Sequence, residues 1–227
     1  MFYETDKNDH GLPYNPYKSC VVPRPIGWIT SLSRDGIVNL APYSQFNNLG
    51  YDPPYVMFSA GSRADGSRKD SVANAEETGE FVCNMATWDL RDAVNTSSQS
   101  VDPETDETVL AGLETEPSEM VKPPRIKASP VHLECLFHST AVLPGYTLDN
   151  IVHLVIGRVI GVHIRDDALT ADGRLDVARL KPLARLGYFD YTAVESVYTI
   201  EPTGPGVEAR RKGLGGEARG KPGVAAE

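Results

Sequence analysis

Hydrophobic positions in this chain gather in short runs rich in β-branched and aromatic residues, and most runs are closed by proline or glycine. That pattern predicts strands over Ile26–Leu32, Ile37–Leu40, Tyr55–Ser59, Glu80–Met85, Val131–Val142, Ile151–Ile164 and Ala193–Ile200. Between the first two, Ser33-Arg34-Asp35-Gly36 reads as a hairpin turn in which Gly36 takes a positive φ. In Ile151–Ile164 the even positions (Val152, Leu154, Ile156, Ile160, Val162, Ile164) read as the core face, broken by Arg158. The odd positions place Gly157 and Gly161 on the face of His153, where a ligand or a second chain could come close.

Helical signals are fewer. Lys69–Thr78 opens on capping-type residues, with Asp70 as the N-cap, and stops at Gly79. Trp88–Asn95 and Thr108–Leu113 are shorter candidates. Seven or more strands without regular alternation of strand and helix favour an antiparallel barrel or sandwich over a doubly wound sheet. The chain divides into an arm over 1–17, a folded domain over 18–202 and a glycine-rich tail over 203–227, whose composition predicts disorder. Within the domain, Ser100–Pro124 carries seven acidic residues and one lysine and reads as a surface excursion.

Charge narrows the function classes. The net charge is -9, and outside the tail 17 basic residues face 28 acidic ones, a net -11. A broad nucleic-acid surface is not expected. The three cysteines, Cys20, Cys83 and Cys135, form neither a disulfide framework nor a zinc motif and read as buried apolar residues. The first residues lack a basic region followed by an apolar stretch, and Ile151–Ile164 is too short to cross a bilayer as a helix. No membrane association and a cytoplasmic location are therefore expected.

Three stretches could carry chemistry. The loop Ser59–Ser71 (SAGSRADGSRKDS) combines hydroxyls, Gly61 and Gly66, and Arg63, Arg68 and Lys69, just before a predicted helix start. Free amides, a positive dipole end and cations could cradle a phosphate there; an ordinary solvated loop has the same composition. Asn39–Asn48 alternates small polar and aromatic residues, as either a planar ligand's wall or a well-satisfied turn would. His153 is a strand histidine on the glycine-bearing face. His132 and His138, six residues apart along a strand at about 3.3 Å per residue, are too distant to share one metal ion. No metal site, Walker loop, GxGxxG or nucleophilic triad is indicated.

The ordered segments RPIGWITSLSRDGIVNLAPYSQFNNLGYDPPYVMFSAG, KDSVANAEETGEFVCNM, AGLETEPSEMVKPPRIKASPVHLEC, HLVIGRVIGVHI, DGRLD and PLARLGYFDY resemble the flavin reductase-like family. The branch in view holds flavin reductase components of two-component monooxygenases and flavoredoxins. The resemblance spans roughly residues 18 to 200. It implies a mainly β fold, a six-stranded antiparallel FMN-binding split β-barrel with a few short helices. It also implies a homodimer with flavin near the subunit boundary. Thr30, Ser31, Ala41, Pro42, Ser44, Phe46 and Asn47 would line the flavin; Ser59, Gly61, Arg68, Lys69 and Ser71 would hold its phosphate; His153 would lie on the nicotinamide side. The implied function is NAD(P)H-dependent reduction of FMN for an oxygenase partner, FMN carrying the hydride chemistry. Two alternatives are a tight FMN-binding electron carrier and a non-catalytic flavin binder. Thr147-Leu148-Asp149-Asn150 departs from the Gly-Asp-His run of flavin reductases, and Arg158 stands where a glutamate is usual.

Overall fold

Leu32 faces Val38 across the expected turn, where the Gly36 amide donates to the Ser33 carbonyl at 3.0 Å and Gly36 takes φ +83°. The computed structural model describes residues 1–208 and 210, in two compact units divided between Glu195 and Ser196. In the first unit the elements run β1 (Arg24–Pro25), β2 (Gly27–Leu32), β3 (Val38–Tyr43), β4 (Phe46–Tyr51), β5 (Pro54–Gly61), α1 (Asp70–Thr78) and β6 (Glu80–Met85). Then come α2 (Arg91–Thr96), α3 (Glu107–Leu110), β7 (Thr115–Glu116), β8 (Arg125–Ile126), β9 (Val131–Leu143), β10 (Val152–Ile164), α4 (Val177–Leu180), β11 (Leu183–Gly187) and β12 (Asp190–Ala193).

Seven of these strands form one sheet in the order β3-β2-β6-β9-β10-β5-β4, and every pairing in it is antiparallel. The mainly β, split-barrel expectation holds. Helix α1 packs against β2, β3, β6, β9 and β10, so the sheet curls around it. The inner core joins Ile29, Phe58, Phe81, Cys135 and Val155 to Val72 and Ala75 of α1. Each such side chain, fully buried, contributes about 1.5–3 kcal/mol for the larger aliphatics and phenylalanines. A second core lies on the other side of β2 and β6, around Trp28, Leu40, Val94, Ile126 and Leu183. The Trp28 indole donates to Ser97 Oγ at 2.9 Å and so anchors the end of α2.

The face assignment on β10 is reversed. His153, Val155, Gly157 and Val159 point inward, and Val152, Leu154 and Ile156 lie half-buried on the outer surface. Both faces are apolar, so periodicity alone could not tell them apart. Gly157 serves the core: a Cβ there would lie 2.3 Å from Phe81 Cζ. The strand expected over Ala193–Ile200 ends at Ala193, and 194–200 has no regular structure. Strands β4 and β11 were not expected, because Asn47, Asn48 and Gly50 in one and Arg185 in the other dilute the apolar pattern.

Helix α1 stops at Gly79 with φ +79°, as expected, but its N-cap is Lys69 and not Asp70. The Trp88 segment is a short 3-10 turn leading into α2, and the Thr108 segment is the single turn α3. Cys83 and Cys135 are buried, whereas Cys20 is exposed beside a 3-10 turn. In the second unit the Arg210 guanidinium bonds the carbonyls of Thr203 and Pro205. Most of the 203–227 stretch expected to be disordered lies outside the described residues.

Candidate functional site

The loop between β5 and α1 is built by its own backbone. Ser62 N–H donates to Ile151 O at 2.9 Å, Arg63 N–H to Ser67 O at 2.8 Å, and Gly66 N–H to Arg63 O at 2.9 Å with φ +83°. This tight curl delivers the chain to the α1 N-terminus, where Lys69 makes no side-chain capping bond. The first amides of a helix have no intrahelical partner and carry the positive end of its dipole. Arg63 Nη2 holds Asp70 Oδ2 at 2.5 Å, so the carboxylate at the first helical position is neutralised in place. Arg68 turns the other way, to Glu76 and Glu77. No ion pair to Lys69 occurs among the described residues. Ser62 Oγ is buried with no hydrogen-bond partner.

Behind this loop lies a closed polar network. Asn39 Nδ2 donates to Ser71 Oγ at 2.8 Å and to Ser31 Oγ at 3.4 Å, and Asn74 Nδ2 donates to Ser31 Oγ at 3.1 Å. Ser71 also shares a hydrogen bond with the Tyr43 hydroxyl. Burial pushes that hydroxyl up to about 12, against the Ser71 hydrogen bond and with Asp70 and Glu107 adding to the shift, so Tyr43 is neutral.

A cleft of about 200 Å³ opens between β3 and α1. It is lined by Ala41, Pro42 and Tyr43 with Asn39, by Arg63, Lys69 and Asp70, and by Ser97–Val101 with Glu107. Glu107 arrives from the acidic excursion. Asp106 caps the turn, accepting from Thr108 N at 2.8 Å, and Glu107 Oε2 accepts the Leu40 amide at 2.9 Å. Glu107 is 5% exposed. Burial raises its carboxyl above the usual range, the Leu40 amide opposes this, and Asp70 and Asp106 add to it.

Of the residues expected to act, the cleft brings together Ala41, Pro42 and Lys69. Ser71 and Ser31 are buried in the network behind it. Thr30 points into the second core, where its hydroxyl donates to Pro124 O at 2.7 Å and accepts from Asn84 Nδ2 at 3.1 Å. The Phe46 ring fills the space beside Gly27 and lines an apolar cavity with Cys83 and Leu133. Ser44 lies in the β3–β4 turn, 3.5 Å from Arg24 Nε. Asn47, Ser59 and Gly61 lie on the outer face of the sheet, in register with Met57, Leu154 and Val152 respectively. Arg68 is engaged with Glu76. His153 is 8% exposed, opposite Ala60 and Val142, and its Nδ1 has no partner.

Arg63 and Tyr43 lie within the stretches singled out by the sequence, whereas Glu107 and the Ser97–Val101 segment were not expected at the site. Asp106-Glu107-Thr108 does carry a helix-start signal, but no spacing rule tells that its glutamate folds back onto β3. Apart from the cleft, Glu134 is buried and accepts the Glu119 and Met120 amides at 2.8 and 2.7 Å and His163 Nε2, pinning the acidic excursion to β9. His132 Nε2 bonds Ile126 O at 2.9 Å. Among the described residues no group of three or more His, Cys, Asp or Glu is placed to hold a metal ion, and no helix is long and apolar enough to cross a membrane.

The sequence profile described as flavin reductase like domain matches residues 19–191. An uncharacterized protein of Aquifex aeolicus is 34% identical over 187 residues, covering 82% of this chain and 92% of the relative. One of Halalkalibacterium halodurans is 36% identical over 181 residues, 80% of this chain and 86% of the relative. Among solved structures, nitrilotriacetate monooxygenase component B from Bacillus cereus superposes with a TM-score of 0.81 at 29% identity, covering 88% of this chain and 98% of that one. Flavoredoxin of Desulfovibrio vulgaris superposes at 0.66 with 17% identity over 79% and 91% of the two chains, a likeness of fold.

Proposed function

This chain belongs to the flavin reductase like domain family, and we propose that it binds FMN in the cleft between β3 and α1 and reduces it with NAD(P)H for a partner monooxygenase. The observation that carries this reading is Lys69. It stands at the uncapped start of a nine-residue helix, on a cleft that also holds Arg63. Open amides and two cations fit a phosphate, and the unpartnered Ser62 hydroxyl in the same loop suits one more acceptor. When bound, FMN supplies two-electron hydride chemistry, which requires no nucleophilic side chain.

The residues divide the remaining work. Lys69, Arg63 and the first amides of α1 grip the phosphate, while Arg63 also keeps Asp70 from repelling it. Ser31, Asn39, Ser71 and Asn74 keep the floor rigid by bonding one another. His153 serves the nicotinamide side. A second copy of this chain covers the apolar outer face around Val152, Leu154, Ile156 and Met57, which brings Asn47, Ser59 and Gly61 to the subunit boundary. The likeness to a monooxygenase component supports the oxygenase partner.

The burial of His153 favours a second reading, a tightly bound flavin that trades electrons with a protein donor. Anaerobic mixing of protein, FMN and NADH or NADPH separates the two. Bleaching of the flavin band is the expected result. No bleaching with either nucleotide, together with flavin that stays bound through gel filtration, overturns the reductase in favour of the carrier.

A further inference from the structure

We propose that the chain has a second binding site, for free hydrogenphosphate, where β9 and β10 meet β7 and β8, in the cavity lined by His132, His163, Arg125 and Arg165. This cavity shares no residue with the cleft between β3 and α1.

His132 and His163 face each other across β9 and β10, with ring centroids 6.1 Å apart. His132 is 2% exposed, and its Nε2 lies 2.9 Å from the Ile126 carbonyl oxygen. A carbonyl only accepts, so Nε2 carries the ring proton. Burial holds this imidazole below its ordinary 6.5, so at neutral pH it is uncharged and Nδ1 is a bare acceptor. That Nδ1 is buried and has no partner. Leaving it so is costly, and a ligand that donates to it is favoured.

The cavity measures about 280 Å³, and Glu116 is the acidic residue that lines it. Glu116 is held by Arg125 at 2.9 Å, Asp167 by Arg165 at 2.9 Å, and Glu134 by His163 Nε2. Arg125 also donates to Pro117 O, and Arg165 to Ala128 O. These bonds engage three nitrogens of each guanidinium, and with five N–H groups apiece each has two left. Two cations disfavour a metal ion here and favour an anion. A fully deprotonated oxyanion would suit the guanidiniums but set an oxygen against the Nδ1 lone pair. Hydrogenphosphate suits both, meeting the guanidiniums through P–O⁻ and Nδ1 through P–OH.

Titration calorimetry with inorganic phosphate and with sulfate tests this, since sulfate has the same shape and no proton at neutral pH. Lys69→Ala serves as the background, because it removes a cation of the other cleft. In that background phosphate is expected to bind about tenfold or more tightly than sulfate, the worth of one hydrogen bond to a charged group. Adding Arg165→Ala is expected to weaken both anions, and adding His132→Phe to erase the preference. Equal affinities, binding untouched by Arg165→Ala, or a preference that survives His132→Phe overturns the proposal. Heat from neither anion also overturns it and leaves an ordinary water on His132 Nδ1. The anion comparison and Arg165→Ala, at an exposed position, decide even if His132→Phe does not fold. None of these outcomes depends on whether FMN binds between β3 and α1.

Discussion

The ring of Phe81 occupies the space that a side chain at position 157 would take. A Cβ built on Gly157 lies 2.3 Å from Phe81 Cζ and 2.6 Å from Cε1. Phe81 is wholly buried between β6 and α1, so it has little room to withdraw. Gly157→Ala is expected to destabilise the fold by about 1–3 kcal/mol, the range for overpacking a filled core. Urea unfolding measures it. Phe81→Leu in the same background should recover part of the loss, and an unchanged midpoint for Gly157→Ala alone would refute the packing argument.

Lys69 and Arg68 are neighbours with opposite prospects. Lys69 lines the cleft, and Arg68 is bound up with Glu76 and Glu77 on the helix flank. Lys69→Ala should lower FMN affinity by roughly 1.5–3 kcal/mol, the worth of charge-assisted hydrogen bonds. Arg68→Ala should change it by less than about 1 kcal/mol, as exposed ion pairs do. Titration calorimetry with FMN checks both, and equal effects of the two variants would move the phosphate away from α1.

Thr30 tests whether a polar residue expected at the flavin acts on ligand or on fold. Its hydroxyl joins Pro124 O to Asn84 Nδ2, and Asn84 Oδ1 in turn accepts Ile126 N–H at 2.9 Å. Thr30→Val leaves two buried groups short of a partner and should destabilise by about 1–3 kcal/mol. FMN affinity of the folded fraction should not move. A clear loss of affinity without loss of stability would show that Thr30 touches the flavin.

Acid should unfold the protein in two stages. Burial holds His132 below its ordinary 6.5, so the unfolded chain takes up that proton first; stability is full above this value and declines as pH falls through it. Glu134 follows at lower pH. Burial would raise its carboxyl, but the Glu119 amide, His163 and the Met120 amide together hold it below its ordinary 4.5. Its stabilisation is present above that value and is lost as pH falls through the depressed one. Melting temperature against pH measures both stages. His132→Gln should flatten the first, and Glu134→Gln the second at the cost of a lower plateau at neutral pH.

How much of this could be read beforehand depended on whether one signal acted alone. Glu80–Met85 is found residue for residue, because Gly79 ends one element and the Phe-Val-Cys run makes the core of the next. The α1 stop and the Ser33–Gly36 turn were equally legible, since each needs a positive φ that glycine supplies. On β10 two apolar faces competed, and only the Phe81 ring against Gly157 tells which is inside. In the site, Lys69 and Ala41 stood in motifs, whereas Glu107 reaches Leu40 across 67 positions of sequence. Long-range folding back of that kind leaves no local spacing to detect.

The Leu40–Glu107 bond also bears on how copies of this chain behave at high concentration. A bare border of a β-sheet invites a like strand from another molecule to zip alongside, the first step toward fibrils. Here one outward amide is already occupied by a carboxylate, and the next outward position, 42, is a proline. The border facing the cleft is thereby blunted against self-templated polymerisation.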